Sequence, residues 1–516
     1  MTRMSAKHGA RSSVGTGAAL VLSLLVAVAA GCGGDGKKPA RTAGGGVVTD
    51  SSGNVISKAA AVKFKDALAE MQRHDAASDW NDATCKATAD MFTKAAGEQG
   101  DKEFLEAKYN AGVAYQRCKN NAEAKRIFKE VLERSSEFHR ARVQVALYDF
   151  QESGEKNVDA ALSEMERAVT DAKFQNVEAL VNLAMFQMLR QSDSSDDDGA
   201  NDFERAKKNL QRALAVNDAF MPAFNQLAVY YYEMAKRKAG RKESGRRGVA
   251  AASAMGKKAD PQALELAALV CSQAIRKNPR YAPVYNTMGL ISAELGDLSA
   301  AARSFGQARD LDKKFFEAHM NYAAVNLQFR GFQQAEAAYR DALKLRPNDY
   351  EATLGLALAV RALINDTNFD KNFKEVVDLL AKAKSLDPDR PETYYNEAIF
   401  TQEYKTREGG EKGEKMLLEA KAVFEQFVGK AEGREEYAAA VKRAKELMKE
   451  IDQIIEFNRQ SAKEAEEQKK LEQERKRKEA EEKSKPKEAP KDEGAGGADK
   501  DGAKEGGAGD AKEGGK

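Results

Sequence analysis

The sequence predicts an all-α fold: a solenoid of tandem helix-turn-helix hairpins, closed by a C-terminal capping helix and followed by a disordered tail. Three observations lead to this prediction. Alanine, lysine, glutamate and leucine dominate the 516 residues and aromatic residues reach only 7%, a balance that favours helices over sheets. A pattern of bulky and small residues recurs every 34 positions, and prolines stand at the ends of several repeated units.

The repeat is clearest between Pro279 and Pro347. The second helix of each predicted unit carries alternating large and small residues at four fixed positions. The two sets are Leu298, Ala301, Phe305 and Ala308, followed 34 residues later by Phe332, Ala335, Tyr339 and Ala342. Ahead of them, residues 285–289 (Tyr-Asn-Thr-Met-Gly) correspond to residues 319–323 (His-Met-Asn-Tyr-Ala). Small residues let paired helices approach closely, and an aromatic ring fills the space against the next hairpin.

This pattern resembles the tetratricopeptide repeat. The resemblance implies a superhelix in which the first helix of each hairpin lines a concave surface that binds polypeptides. Another helical-hairpin solenoid is the alternative. The same frame extends in both directions from the clear repeats, which predicts about nine units between residues 57 and 430.

Residues 1–31 are predicted to form a lipoprotein signal peptide. Three basic residues precede an apolar run of 13 residues from 18 to 30, which is too short for a spanning helix of about 20 residues. The junction Ala-Ala-Gly-Cys resembles the bacterial lipobox, in which the cysteine is acylated. We therefore predict lipid attachment at Cys32 and a flexible, glycine-rich linker over residues 32–56. An ordinary signal peptide is the alternative.

Charge and motif content exclude several classes of function. Removal of the signal peptide, which holds three basic residues and no acid, changes the formal charge from +2 to −1. A nearly neutral protein lacks the positive field that concentrates nucleic acid. The four histidines are scattered, and no glycine-rich phosphate loop has the required context. We expect no nucleic-acid partner, no small-molecule substrate, no cofactor, no metal site and no enzymatic activity.

Three cysteines remain once Cys32 is assigned to lipid. Cys85 and Cys118 fall in neighbouring predicted hairpins, whereas Cys271 falls at a position expected to be buried. An oxidising envelope compartment permits one disulfide. The sequence leaves open whether Cys85 and Cys118 form that disulfide or remain two buried thiols.

Two insertions interrupt the array, each between the paired helices of one unit. The first, at residues 193–201, is acidic; its glycine falls one place late for a calcium loop. The second, at residues 234–262, holds nine basic residues and two acidic ones. It is either a solvated loop or a surface that docks on an acidic partner or an anionic lipid.

The C-terminal region divides in two. Residues 431–483 are predicted to form a capping and charged helix, because apolar residues at helical spacing give way to lysine and glutamate beyond Arg459. Residues 484–516 contain no residue that could form a core, so we predict a disordered tail.

The candidate partner-binding residues follow from the resemblance. The groove positions of the family correspond here to Asn225, Asn286, Leu290, Met320, Asn321, Ala324 and Tyr395. Asn110, Asn182 and Asn396 recur at the position of Asn321. These asparagines either contact a ligand or form ordinary hydrogen bonds between hairpins. The lysines and arginines with which some family members clamp a C-terminal carboxylate are incomplete here, which disfavours that ligand.

The lipobox, the long array and the lysine- and glutamate-rich tail together resemble the tetratricopeptide lipoproteins of bacterial gliding-motility complexes. This resemblance implies a scaffold that organises protein partners in an envelope-spanning complex. Because Gly33 follows the cysteine and no aspartate stands at that position, we expect the lipid to lie in the outer membrane, with the array facing the periplasm. A pilotin-like or outer-membrane assembly lipoprotein, serving a secretin or barrel protein, is the alternative.

Overall fold

The computed structural model describes most of the chain from residue 49 to residue 484. The described ranges are residues 49–50, 54–77, 79–100, 102–154, 156–192, 200–238, 259–404 and 410–484. The predicted signal peptide, Cys32, most of the predicted linker and all of the predicted tail except Ser484 lie outside them. The chain divides into two compact units, Met1–Met448 and Lys449–Lys516.

The described residues contain nineteen α-helices and no strand, apart from one isolated bridge between Thr49 and Val55. The first eighteen helices form nine consecutive hairpins. The hairpins are α1 (Lys58–Ala77) with α2 (Asp82–Gly97), α3 (Leu105–Arg117) with α4 (Asn121–Arg134), α5 (His139–Glu152) with α6 (Val158–Asp171), α7 (Val177–Arg190) with α8 (Asp202–Val216), α9 (Met221–Lys238) with α10 (Pro261–Lys277), α11 (Ala282–Glu294) with α12 (Leu298–Leu311), α13 (Phe316–Gln328) with α14 (Phe332–Leu345), α15 (Tyr350–Ala362) with α16 (Phe369–Leu386), and α17 (Pro391–Tyr404) with α18 (Gly410–Ala431). The predicted all-α hairpin solenoid is confirmed.

Capping side chains mark the N-terminal ends of most of the second helices. An asparagine or aspartate side chain accepts a backbone N–H of the first turn at the start of α2, α4, α6, α8, α10 and α12. Such a cap satisfies one of the amide groups that a helix start leaves without an intrahelical partner. The capping residues are Asn81, Asn120, Asn157, Asn201, Asp260 and Asp297. These caps fix where the turn ends in these six hairpins.

The two helices of a hairpin are buried to different degrees. Most first helices after α1 are buried on more than one side, and α7 is the extreme case, with residues 179–188 all buried. The second helices keep one buried stripe, such as Ala301, Phe305 and Ala308 in α12. From α5 to α17 each first helix contacts the first helix of the next hairpin, whereas contacts between successive second helices are sparser within the described part of the chain. The first helices therefore lie on the inside of the array's curve, and we call the surface they form the inner wall.

Small residues permit the close approach of the paired helices. The ring of Phe305 covers Gly289 so closely that a Cβ on the glycine would lie 2.5 Å from the ring atom Cε1. Gly112 has the same relation to Phe128, at 2.6 Å. The 34-residue pattern thus reports direct contacts between a small residue on the first helix and an aromatic residue on the second.

Replacing Gly289 with alanine is expected to destabilise the sixth hairpin by about 1–3 kcal/mol, because the added methyl group overlaps the Phe305 ring. Thermal unfolding and amide exchange in α11 and α12 would measure the loss. Gly429 in α18 is the matched control, since nothing lies within 4 Å of a Cβ there. Alanine at that helical position should stabilise by about 0.5–1 kcal/mol. Equal effects of the two substitutions would refute the packing argument.

Three boundaries differ from the sequence predictions. The predicted flexible linker ends in ordered backbone: Ile56 is buried with Phe104, and the Ser57 N–H donates to Gln99 Oε1 at 2.7 Å. The basic insertion is shorter than predicted, because α9 continues to Lys238 and α10 begins at Pro261. Residues 239–258 lie outside the described part of the chain.

The C-terminal helix also differs in extent. A 3-10 turn at Glu435–Tyr437 precedes α19 (Ala438–Ser484), which is one continuous helix. Val441, Ala444 and Leu447 near its start are buried, as expected of a capping segment. Described side chains from residue 456 to 481 are exposed on all faces, and Lys470–Glu466 is one of several ion pairs spaced four residues apart.

Candidate partner-binding wall

The central part of the inner wall contains a row of buried amide and hydroxyl groups. The Thr287 hydroxyl on α11 donates to Asn225 Oδ1 on α9 at 2.8 Å. The Asn321 amide on α13 donates to Asn286 Oδ1 on α11 at 2.9 Å. Asn225 and Asn286 are both 0% exposed. Three of the predicted groove residues are therefore brought together as bonds between neighbouring hairpins.

The other predicted groove residues take part in apolar packing. Leu290 and Met320 belong to buried clusters, and the ring of Tyr395 lies 5.0 Å from that of Phe427, centroid to centroid. Because successive first helices contact each other, these positions are covered by the array itself. The geometry gives the central asparagines a role in hydrogen bonding between hairpins. Contact of the predicted groove residues with a partner stays a prediction. Ala324 is half-buried.

A second polar row joins the first helices of the second, third and fourth hairpins. The Gln116 amide on α3 donates to Gln144 Oε1 on α5 at 2.8 Å and to the Tyr148 hydroxyl at 3.1 Å. The Gln144 amide in turn donates to Glu178 Oε1 on α7 at 2.8 Å. Burial raises the pKa of Glu178 to about 7, and the Gln144 hydrogen bond and the charge of Arg140 only partly offset that rise. The row ends in a carboxylate whose protonation changes near neutral pH.

Glutamates of the later hairpins have arginine partners. Glu317 on α13 bonds to Arg346 at 2.8 Å. Glu351 on α15 and Glu392 on α17 both bond to Arg390, at 2.8 and 3.1 Å. In this part of the wall, the charges of the glutamate carboxylates are therefore neutralised by arginines of the same chain.

The structure pairs Cys85 of α2 with Cys118, the residue after α3, as a disulfide. Their Cα atoms lie 6.3 Å apart, within the usual span of such bonds. The bond joins the first hairpin to the second. Cys271 is a buried free thiol, and burial raises its pKa to about 12.

A buried acid that the sequence did not reveal closes the base of the acidic insertion. Asp202, the first residue of α8, accepts bonds from Arg190 at 2.7 and 2.9 Å and from Arg205 at 2.6 Å. It also accepts the Ser192 N–H at 2.8 Å, so both ends of the insertion meet at one carboxylate. Residues 193–199 lie outside the described part of the chain. An aspartate at the edge of an acidic stretch gives no sequence signal of burial.

The described residues show neither a candidate metal cluster nor a candidate membrane span. Among them, no group of three histidine, cysteine, aspartate or glutamate side chains is placed to hold a metal ion. Within the same ranges, no helix has both the length and the apolar character needed to cross a membrane.

The fold and the inner wall define a class: a helical-repeat array of the kind that presents an extended surface to other proteins. The tetratricopeptide repeat family matches residues 105–138, which span α3 and α4. No curated protein sequence matches the chain.

Several solved structures are similar to it. They include a thermophilic tetratricopeptide repeat protein of Thermus thermophilus, with 25% identity, covering 43% of this chain and 98% of that chain at a TM-score of 0.34. A tetratricopeptide repeat protein from Parabacteroides merdae has 13% identity, 61% and 98% coverage and a TM-score of 0.33. The pilF protein of Pseudomonas aeruginosa has 16% identity, 51% and 97% coverage and a TM-score of 0.35.

Proposed function

We propose that the protein is a lipid-anchored scaffold of the bacterial cell envelope that binds other proteins along its inner wall. The observation that carries the scaffold role is the succession of nine hairpins whose first helices share one side. A solenoid of this kind offers a continuous surface much longer than a single pocket, and such surfaces suit extended polypeptides. Anchoring through Cys32 is supported by the basic, apolar and small-residue segments that precede it.

Within this class we place the protein in a gliding-motility complex, with its lipid in the outer membrane and the array in the periplasm. Support comes from the resemblance of the lipobox, long array and charged tail to lipoproteins of such complexes, and from Gly33 after the lipidated cysteine. A pilotin-like role for a secretin or barrel protein is the competing proposal, and the identity of the partner separates the two.

Anchoring is tested by replacing Cys32 with serine. The variant is expected to lose incorporation of a labelled fatty acid and to move from the membrane fraction to the soluble fraction, because no acyl chain remains to partition into lipid. The Cys271→Ala variant should keep the label, since Cys271 is a buried thiol and lies outside the lipobox sequence. If the wild-type chain incorporates no labelled fatty acid, the lipoprotein assignment is wrong.

Partner binding is tested by placing one photo-crosslinking amino acid at two alanines of the seventh hairpin. Ala324 lies half-buried on the first helix α13, and Ala337 lies exposed on the second helix α14. Cells with the probe at 324 should yield crosslinks to envelope proteins, and cells with the probe at 337 should yield few. Motility-complex components among the products support the leading proposal, whereas secretin subunits alone support the pilotin-like role. Crosslinks from 337 only would refute binding on the inner wall.

A further inference from the structure

Glutamate recurs as the second residue of the first helix in several hairpins. Glu106, Glu178, Glu317, Glu351 and Glu392 all occupy this place, on α3, α7, α13, α15 and α17. The last three bond to arginines of the chain. Glu178 accepts one hydrogen bond, from Gln144, and has no lysine, arginine or histidine nitrogen of the described residues within ion-pair distance. This position thus has an arginine ion-pair partner in three hairpins, whereas Glu178 has none among the described residues.

The surroundings of Glu178 explain why this difference matters. The carboxylate is half-buried, and loss of water disfavours a charge that has no counter-ion. The charged group that faces it from the packed helices, within the described chain, is Arg140 on α5. Arg140 is held elsewhere: its guanidinium lies 5.4 Å from the ring centroid of Tyr109 and 5.6 Å from that of Phe138.

Two tyrosines near this row stay uncharged at neutral pH. Burial keeps the pKa of Tyr109 on α3 above its usual value, and the charge of Glu178 adds to that rise. Burial also raises the pKa of Tyr148 on α5. Next along the row, Gln116 Oε1 is buried and accepts no hydrogen bond from the described residues. Within the described residues, the carboxylate of Glu178 therefore has an amide donor in Gln144 but no positively charged donor within ion-pair distance.

We propose that Glu178, supported by Gln144 and Gln116, anchors a lysine or arginine side chain of the polypeptide that binds along the inner wall. The inference rests on the proposed scaffold function and adds the chemistry of one contact. A cationic side chain would supply the counter-ion that Arg346 and Arg390 supply in the later hairpins. A neutral or acidic side chain would leave the carboxylate with only the partial compensation that Gln144 and Arg140 supply, so this contact selects for positive charge.

The anchor makes binding depend on pH. The free carboxyl has a pKa of about 7, so it is largely protonated at about pH 6 and largely ionised at about pH 8. The bound form requires the carboxylate, while lysine and arginine stay charged throughout this interval. Binding therefore releases a proton at low pH, and affinity should rise between about pH 6 and about pH 8.

The test uses the purified mature chain and an immobilised array of short peptides, in which every arginine peptide has a citrulline twin and every lysine peptide an acetyl-lysine twin. Dissociation constants of the peptides that bind are then measured by fluorescence polarisation. The cationic peptides are expected to bind about tenfold more tightly than their twins. The Glu178→Gln variant should remove that preference and the pH dependence. Its side chain can still accept the Gln144 hydrogen bond, so the fold is retained, and an unchanged unfolding midpoint would verify this.

Glu351→Gln is the matched control. Glu351 occupies the same place in the repeat but already has Arg390 as a partner, so affinities should stay within about twofold of wild type. Two results would overturn the anchor and leave the scaffold function intact. One is that the cationic peptides bind Glu178→Gln and wild type equally, and the other is that the neutral twins bind as well as their cationic parents. A wild-type chain that binds no peptide would overturn the proposed function, and the anchor with it.

Discussion

Replacing Asp202 with alanine is expected to destabilise the fourth hairpin by about 3–5 kcal/mol. Asp202 is 0% exposed and accepts hydrogen bonds from two arginines and one backbone amide. Its removal leaves Arg190 and Arg205 without their shared buried partner and releases the base of the insertion. Thermal unfolding, together with amide exchange in α7 and α8, would measure the loss.

Asp159 provides the matched control. It also bonds to Arg190, at 3.0 Å, but its side chain is 81% exposed. Solvent screening limits such a pair to about 0–1 kcal/mol, so Asp159→Ala should have a small effect. If the two alanine variants lose the same stability, burial of Asp202 is not what makes its contacts strong.

Acid should weaken the same contact. Burial alone would raise the pKa of Asp202, but the bonds from Arg190 and Arg205 outweigh burial and hold it below the usual value of 3.8. Because the folded pKa is depressed, the stabilisation is present above the unfolded pKa of about 3.9 and is lost as the pH falls through the folded pKa. The stability difference between wild type and Asp202→Ala should therefore shrink below about pH 4.

Reduction of the Cys85–Cys118 disulfide is expected to destabilise the first two hairpins by roughly 3–4 kcal/mol. The bond closes a loop with a sequence separation of 33 residues, and opening it restores conformational freedom to the unfolded chain. Thermal unfolding with and without reductant would measure the effect. Reductant should have no such effect on a Cys85→Ala/Cys118→Ala double variant, whereas Cys271→Ala should remain sensitive to it.

Thiol counting gives an independent check on the same bond. Alkylation of the unfolded, unreduced protein should label Cys271 and leave Cys85 and Cys118 unmodified. Labelling in the native state should be slow even at Cys271, because burial raises the pKa of that thiol to about 12 and the thiolate is the reactive form. Modification of Cys85 and Cys118 without reduction would show that the disulfide is absent.

The hairpins were predictable because the residues that define the repeat meet close by in the chain. Gly289 and Phe305 belong to one hairpin, and their contact depends only on the turn between them. The inner wall was less predictable, because it depends on how neighbouring hairpins meet. The family resemblance predicts Asn225 and Asn286 as groove positions, yet both are buried where successive first helices contact each other. The spacing of side chains along one helix does not report how closely the next helix approaches.

Charge partners were the hardest feature to predict. Asp202 has one partner three residues later and another 12 residues earlier, across an insertion whose acidic composition is typical of a solvated loop. The lack of an ion-pair partner at Glu178 is visible only when the first helices are compared. Glutamate stands at the equivalent positions of later hairpins too, but there an arginine of the chain pairs with it.

The joints between first helices are not copies of one another. One uses a threonine with an asparagine, the next uses two asparagines, and a later one sets the Tyr350 hydroxyl against that of Thr393 at 2.7 Å. If a hairpin were moved to a different place in the series, a buried donor or acceptor would face a side chain that cannot form a hydrogen bond with it. Each such unsatisfied group costs about 1–3 kcal/mol. Although the units look alike, their order is specified, and duplication or deletion of a unit would be selected against unless the adjoining joint changed as well.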